Sequence, residues 1–79
     1  MLIVRFSIGV EKACAKEVGA KIDDLGIVIS KVKECKETDF RGVKVSMIYF
    51  DCYSPKARLE FLIDYLDDEF KEHAILSYL

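Results

Sequence analysis

Few side chains in this sequence could carry out chemistry. The chain has one histidine, His73, and three cysteines, Cys14, Cys35 and Cys52. No two cysteines have the Cys-x-x-Cys spacing of a redox or zinc motif. A single histidine together with scattered cysteines does not have the spacing of a metal site either. Because catalysis needs a positioned base, nucleophile or metal, we predict no catalytic residue, no metal site and no cofactor. The protein is therefore expected not to be an enzyme.

Two acidic pairs, Asp23-Asp24 and Asp67-Asp68, are the remaining candidates for acid–base or metal chemistry. Neighbouring residues on a helix point about 100° apart, so neither pair converges on one atom. The 79 residues carry a net charge of −2, and residues 51–79 hold seven Asp/Glu against three Lys/Arg. The acidic residues of the second predicted helix are explained by a helix face exposed to solvent. The alternative interpretation is that they form a docking surface for a basic partner.

The elements that would position these residues follow from the spacing of apolar side chains. Residues 2–8 alternate in polarity, which predicts a strand that Gly9 breaks. From Val10 the apolar residues recur every three or four positions, which predicts a helix with Gly26 as its left-handed cap. The apolar stripe of this helix comprises Cys14, Val18, Ile22 and Leu25.

The second half of the chain predicts two strands followed by a helix and a last strand. The polar residues 35–42 predict a hairpin loop. Ser54-Pro55 predicts a helix start, with Ser as the N-cap and Pro at the first helical position. The predicted elements are strands over 27–34 and 43–52, a helix from 55 to about 71, and a strand over 74–79.

This order of elements is typical of the ferredoxin-like βαββαβ sandwich. We therefore predict one α+β domain over residues 1–79, with two helices on one face of a four-stranded antiparallel sheet. Because exposed Ile and Phe side chains are costly to leave in water as one patch, we expect a second copy to cover the other face. The alternation of polarity places seven residues on that uncovered face, and all of them except Ser7 are predicted interface residues. The seven are Ile3, Arg5, Ser7, Lys44, Ser46, Ile48 and Phe50.

A short segment resembles a known family of regulatory domains. Residues 24–29, Asp-Leu-Gly-Ile-Val-Ile, resemble the junction of the first helix and second strand in ACT-type domains. The resemblance covers six residues. It implies a domain that binds an amino acid or another small effector at an interface between copies. On this chain it implies a ligand site at the start of the first helix, with Gly9, Val10 and Glu11 as binding residues.

The favoured hypothesis is a small interaction module that forms a dimer or tetramer through the uncovered face or an edge strand, with a separate protein partner as a further possibility. An ACT-like effector-binding domain is the alternative. A second alternative is a single-stranded nucleic-acid binder that uses Arg5, Lys31, Lys33 and Lys44, although the negative net charge argues against it. No apolar run is long enough to span a membrane or form a signal peptide, and the odd cysteine count favours a reducing, cytoplasmic setting.

Overall fold

Four antiparallel strands and two helices form a two-layer sandwich. The computed structural model describes residues 1–79, and its sheet has the strand order β2-β3-β1-β4. This order, with β1 and β3 at the centre, confirms the predicted ferredoxin-like α+β fold. Neither helix is both long and apolar enough to cross a membrane. The elements are β1 (Ile3–Glu11), a 3-10 turn (Lys12–Cys14), α1 (Ala15–Asp24), β2 (Val28–Phe40), β3 (Val43–Pro55), α2 (Lys56–Glu69) and β4 (Ala74–Tyr78).

The core lies between the helices and one face of the sheet. Phe6 and Ile8 of β1 are fully buried in it, as the alternation in residues 2–8 predicts, and so is Val10 farther along the same strand. Each such side chain contributes about 1.5–3 kcal/mol relative to leaving it exposed. The helices supply further buried residues from their apolar stripes, and Ile27, Phe50 and Cys52 complete the core. The helix residues are Val18, Ile22, Leu59, Leu62 and Leu66.

Gly26 closes α1 as the sequence predicts. Its φ of 71° is in the left-handed region, which a residue without a Cβ adopts most readily. The Gly26 N–H donates to the Asp23 carbonyl at 2.9 Å, and the Ile27 N–H donates to the Ile22 carbonyl at 3.1 Å. These two bonds form a Schellman motif, and Ile22 and Ile27 both belong to the core beneath it.

The boundary between β1 and α1 differs from the prediction. Gly9 does not break the strand, because β1 continues through it to Glu11 and pairs with β3 and β4 on both sides. The helix does not begin at Val10, since the 3-10 turn intervenes and α1 begins at Ala15. This position of the strand requires a glycine, because the Tyr49 ring occupies the space that a side chain would need.

The predicted hairpin loop over residues 35–42 is mostly strand. β2 runs to Phe40 and pairs with Val43, so that only Arg41 and Gly42 form the turn. Both have positive φ, 52° and 82°, as in a type I′ turn. A register shift between Cys35 and Thr38 accommodates the polar stretch as a bulge.

The start of α2 is also displaced. Ser54 and Pro55 belong to β3, and the helix begins at Lys56. The Ser54 hydroxyl donates to the Pro55 carbonyl at 3.0 Å instead of capping the helix. The Lys56 N–H donates to the Leu2 carbonyl at 3.2 Å, which ties the helix start to the beginning of β1.

Candidate functional site

The register of β1 and β3 decides which side chains occupy the uncovered face. Ile8 pairs with Phe50, and Val10 pairs with Ile48. Directly paired residues of an antiparallel ladder point to the same face. Phe50 therefore lies in the core with a relative exposure of 7%, and Ile48 packs against that core. The prediction that Ile48 and Phe50 lie on the uncovered face is wrong.

Lys44 and Ser46 lie on the same side of β3 as Phe50, because the strand alternates without interruption between them. Their predicted place on the uncovered face is therefore also wrong. The Lys44 Nζ forms an ion pair with Asp39 at 3.1 Å, beside the hairpin turn. Ile3, Arg5 and Ser7 alternate with the core residues of β1 and do lie on the uncovered face. Their role in an interface stays a prediction.

The uncovered face, as the pairing defines it, is a grid of four rows that run across the strands. We use the term for the side chains of these rows and for Ile3, which precedes the first row on β1. The rows, in order along the sheet, are Val28, Tyr53 and Arg5; Lys31, Asp51, Ser7 and Ser77; Lys33, Tyr49, Gly9 and Ile75; and Cys35, Met47 and Glu11.

Apolar side chains are exposed in the first and third rows of this grid, whereas Met47 in the fourth row is fully buried. Val28 and Tyr53 are 44% and 42% exposed in the first row, and Ile3 beside them is 51% exposed. Ile75 in the third row is 47% exposed. An antiparallel sheet that faces water on one side normally presents polar side chains there. The uncovered face is thus more apolar than a fully solvated sheet requires.

The charged side chains of the uncovered face are of both signs. Lys33 places its Nζ 5.9 Å from the centroid of the Tyr49 ring, a cation–π contact. Lys31 lies opposite Asp51 in the second row. Arg5, Lys31 and Lys33 share the face, whereas Lys44 does not, so the cations proposed for nucleic-acid binding do not form one set.

The predicted ligand site at Gly9, Val10 and Glu11 loses its structural premise. Gly9 and Val10 are buried inside β1, and no helix begins beside them. A Cβ at Gly9 would lie 2.5 Å from a Tyr49 ring carbon, so no cradle is open at this position. Ligand binding at Glu11 stays a prediction.

Glu11 instead belongs to a cluster that sequence reasoning missed. The His73 Nδ1 contacts the Glu11 carboxylate, and the potential ligand atoms of Glu11, Cys14 and His73 all lie within 4.8 Å of one another. The predicted order of strands in the sheet could have indicated that His73 and Glu11 lie close together. If β4 lies antiparallel to β1, the residue before Ala74 must come next to the end of β1.

The cysteines are not arranged as nucleophiles. Cys52 is buried, and its thiol donates to the Phe50 carbonyl at 3.4 Å. Burial, together with the charge of Asp51, raises the pKa of Cys52 to about 11. Burial and the carboxylates of Glu11 and Glu17 raise the pKa of Cys14. Both thiols therefore stay protonated at neutral pH unless a cation displaces the proton.

A shallow groove lies between α2 and β4 at the open edge of the sandwich. Its volume is about 170 Å³, and six of its eight lining residues are hydrophobic. Ile75 lines the groove and also belongs to the uncovered face, so the two features are contiguous. The other lining residues are Ile63, Leu66, Asp67, Phe70, Lys71, Ala74 and Leu76.

No protein-family model matches the chain, and no curated protein matches its sequence. Solved structures do match it. CPII, a nitrogen regulatory PII-like protein from Thiomonas intermedia, is similar in its apo form with a TM-score of 0.70 and 11% identity, over 99% of this chain and 88% of CPII. A candidate PII-like signalling protein from Thermus thermophilus gives a TM-score of 0.69 and 15% identity, over 100% and 91% of the two chains.

The ACT domain of the GTP pyrophosphokinase of Chlorobium tepidum is also similar, with a TM-score of 0.57 and 11% identity, over 99% of this chain and 85% of that domain. At such low identities, the likeness of these structures to this chain shows the shared ferredoxin-like fold.

Proposed function

We propose that this protein is a small, non-enzymatic regulatory module that pairs with a second copy of itself through the uncovered face. The observation that carries the proposal is the exposure of Ile3, Val28, Tyr53 and Ile75 on a sheet face that no helix covers. Burying apolar surface stabilises an association by about 25 cal/mol per Å² before the costs of association are counted.

The charges on the uncovered face favour a second copy as the occupant. In a two-fold contact the same patch meets itself, so it must carry complementary groups of its own. Lys31 and Lys33 can face Asp51 of the other copy across such an axis, with the exposed apolar side chains of the first and third rows packed on either side. A strongly basic or acidic partner would instead call for a face of one sign.

The size of the domain supports the same proposal. Only 15 of its 79 residues are buried, and a core this small supplies limited stability. The regulatory part of the proposal is supported by structural neighbours described as signalling or regulatory proteins. These neighbours share the fold at low sequence identity, and the role in this chain is our inference.

Sedimentation velocity over a range of micromolar concentrations tests the pairing. We expect a dimer that Tyr53→Lys and Ile75→Lys each convert to a folded monomer. Phe61→Lys is the matched control, because Phe61 is 64% exposed on α2, which packs against the other face of the sheet. A wild-type monomer at high micromolar concentration would contradict the proposal, as would dissociation by Phe61→Lys alone.

A second candidate function, effector binding at the interface of two copies, is favoured by the groove between α2 and β4. Its volume of about 170 Å³ is below the roughly 300–1,000 Å³ of typical ligand sites, so the groove of one copy is too small for a nucleotide. A second copy packed beside Ile75 would enlarge it. CPII has been solved with ADP, AMP and bicarbonate, which makes these three compounds the first probes.

Thermal unfolding with ADP, AMP or bicarbonate tests this second function. A ligand present at a hundred times its dissociation constant should add about 2.7 kcal/mol to the free energy of unfolding. If the site needs two copies, the monomeric Tyr53→Lys variant, which leaves the groove lining intact, should lose the stabilisation. A shift of equal size in that monomer would place the ligand elsewhere, and no shift with any probe would reject these three effectors.

A further inference from the structure

One end of the sheet brings three different metal-ligating side chains together. Glu11 is the last residue of β1, Cys14 ends the 3-10 turn that follows it, and His73 precedes β4. One carboxylate oxygen, one thiol sulfur and one imidazole nitrogen lie within 4.8 Å of one another. Glu11 belongs to the fourth row of the uncovered face, but the proposed pairing of two copies rests on the exposed apolar residues of that face and assigns no role to these three side chains.

Backbone hydrogen bonds fix the relative positions of the three residues. The Glu11 N–H donates to the His73 carbonyl at 3.2 Å, so the ladder between β1 and β4 continues past Ala74. The His73 N–H donates to the Phe70 carbonyl at 2.9 Å, which closes the turn before β4. The 3-10 turn places Cys14 on the same side as Glu11, because residues three apart coincide on such a turn.

Glu11 has no other cation to neutralise it. Its one ion pair is with His73, which is charged only when protonated. Lys12 directs its Nζ to Glu34 at 3.1 Å instead. The Arg41 guanidinium donates its hydrogen bonds to the Lys71 and Glu72 carbonyls, just before His73 in the sequence. The Glu11 carboxylate therefore has no Lys or Arg ion pair that a metal ion would have to displace.

We propose that Glu11, Cys14 and His73 bind a Zn²⁺ ion through one oxygen, one sulfur and one nitrogen ligand. Zn²⁺ accepts all three donor types, whereas Mg²⁺ and Ca²⁺ select oxygen ligands alone. On binding, Cys14 loses its thiol proton to solvent and coordinates as the thiolate, and His73 coordinates as the neutral imidazole.

The distances suit this ion after small movements of the three side chains. Tetrahedral Zn²⁺ with bonds of about 2.0–2.3 Å holds its ligand atoms about 3.3–3.8 Å apart. The Glu11 and His73 ligand atoms, which are in direct contact, must move apart to admit the ion, and a pair at the 4.8 Å bound must close by about 1 Å. The His73 side chain is half exposed and is free to make that movement. Three protein ligands leave the fourth position for water or an added ligand.

Zn²⁺ would also connect three parts of the chain. It would join the end of β1, the start of α1 and the connection between α2 and β4. The same connection receives the hydrogen bonds of Arg41 from the hairpin turn, at 3.1 and 3.4 Å. Metal binding is therefore expected to order this end of the molecule, including the hairpin turn.

Titration of the metal-free, reduced chain with Co²⁺ and then Zn²⁺ tests the proposal. We expect one Co²⁺ per chain with a thiolate-to-cobalt charge-transfer band in the near ultraviolet, which Zn²⁺ abolishes by displacement. Cys14→Ser should remove the band. His73→Gln and Glu11→Gln should weaken Zn²⁺ binding at least about tenfold, since losing even an outer partner of a ligand costs about 10–100-fold.

Cys35→Ser is the matched control, because Cys35 is also a half-buried free cysteine but lies outside the cluster. It should leave the band and the affinity unchanged. His73→Gln changes a half-exposed side chain and should leave the fold intact. The test therefore stays valid if Cys14→Ser fails to fold. A folded wild-type chain without the band would overturn the proposal, as would a band that survives Cys14→Ser or an affinity that His73→Gln leaves intact.

Discussion

Tyr49 lies directly across from Gly9 in the ladder between β1 and β3, and its ring covers the glycine backbone. A Cβ at Gly9 would stand 2.5 Å from the ring carbon Cε1 and 3.1 Å from Cγ2 of Ile75. The contact explains why a glycine is present in the middle of a buried strand. It also orients the ring beside Lys33 on the uncovered face.

Gly9→Ala should therefore destabilise the fold by about 1–3 kcal/mol, because the new methyl group forces the Tyr49 ring away from the sheet. Urea denaturation measures the change. In the Tyr49→Ala background the same substitution should cost much less, since the obstructing ring is gone. Equal costs in the two backgrounds would mean that strain in the β1 backbone, and not the ring, limits this position.

The two positive-φ glycines should respond differently to alanine. Gly26 has a φ of 71° and a neighbour 2.8 Å from its would-be Cβ, the Nη1 of Arg58. Gly42 has a φ of 82° with open space around it. Gly42→Ala should cost about 1 kcal/mol from backbone strain alone. Gly26→Ala should cost more, because Arg58 must also give up its 3.0 Å hydrogen bond to the Gly26 carbonyl.

Chemical denaturation of both variants tests this difference. Arg58→Ala serves as the common background, where the two alanine substitutions should become similar in cost. A larger cost at Gly42 than at Gly26 in the wild-type background would contradict the role assigned to Arg58.

The elements with one clearly apolar face were predictable from the sequence. Phe6 and Ile8 alternate with polar residues in β1, and Leu59, Leu62 and Leu66 recur at helical spacing, so both were assigned correctly. β3 is different, because both of its faces carry large apolar side chains in the middle of the strand, where residues 47–50 are Met, Ile, Tyr and Phe. The register with β1 decides between the faces, and register depends on residues distant in sequence.

The candidate sites were less predictable for the same reason. Glu11 and His73 are 62 residues apart and meet only because β4 pairs with β1. The predicted hairpin loop over residues 35–42 is too long. Local polarity favours a loop there, but pairing with β3 keeps most of that stretch in the sheet. In each case a tertiary contact overrides a local preference.

The placement of Phe50 in the core gives a direct test of the register. Phe50→Ala should cost about 3–5 kcal/mol of unfolding free energy, because it removes a buried ring that packs against α1 near Gly19. Thermal or urea unfolding measures the loss. If Phe50 were an interface residue instead, the variant would dissociate a dimer and leave the stability of the monomer nearly unchanged.

Cys52 should make the stability of the protein depend on alkaline pH. Its pKa is raised from 9.0 to about 11 in the folded state, first by burial and then by Asp51. Between these values the unfolded chain has lost the thiol proton that the folded chain retains. The stabilisation is therefore complete below pH 9.0 and is lost as the pH rises towards about 11, at no more than about 1.4 kcal/mol per pH unit.

Urea denaturation of the reduced protein at several pH values across this window measures the effect. Cys52→Ala should be less stable at every pH because of the cavity it leaves, but its stability should fall less steeply with pH than that of the wild type. Other groups that titrate in the window contribute equally to both proteins and cancel in the comparison. Parallel pH profiles would show that the Cys52 thiol titrates alike in the folded and unfolded chain.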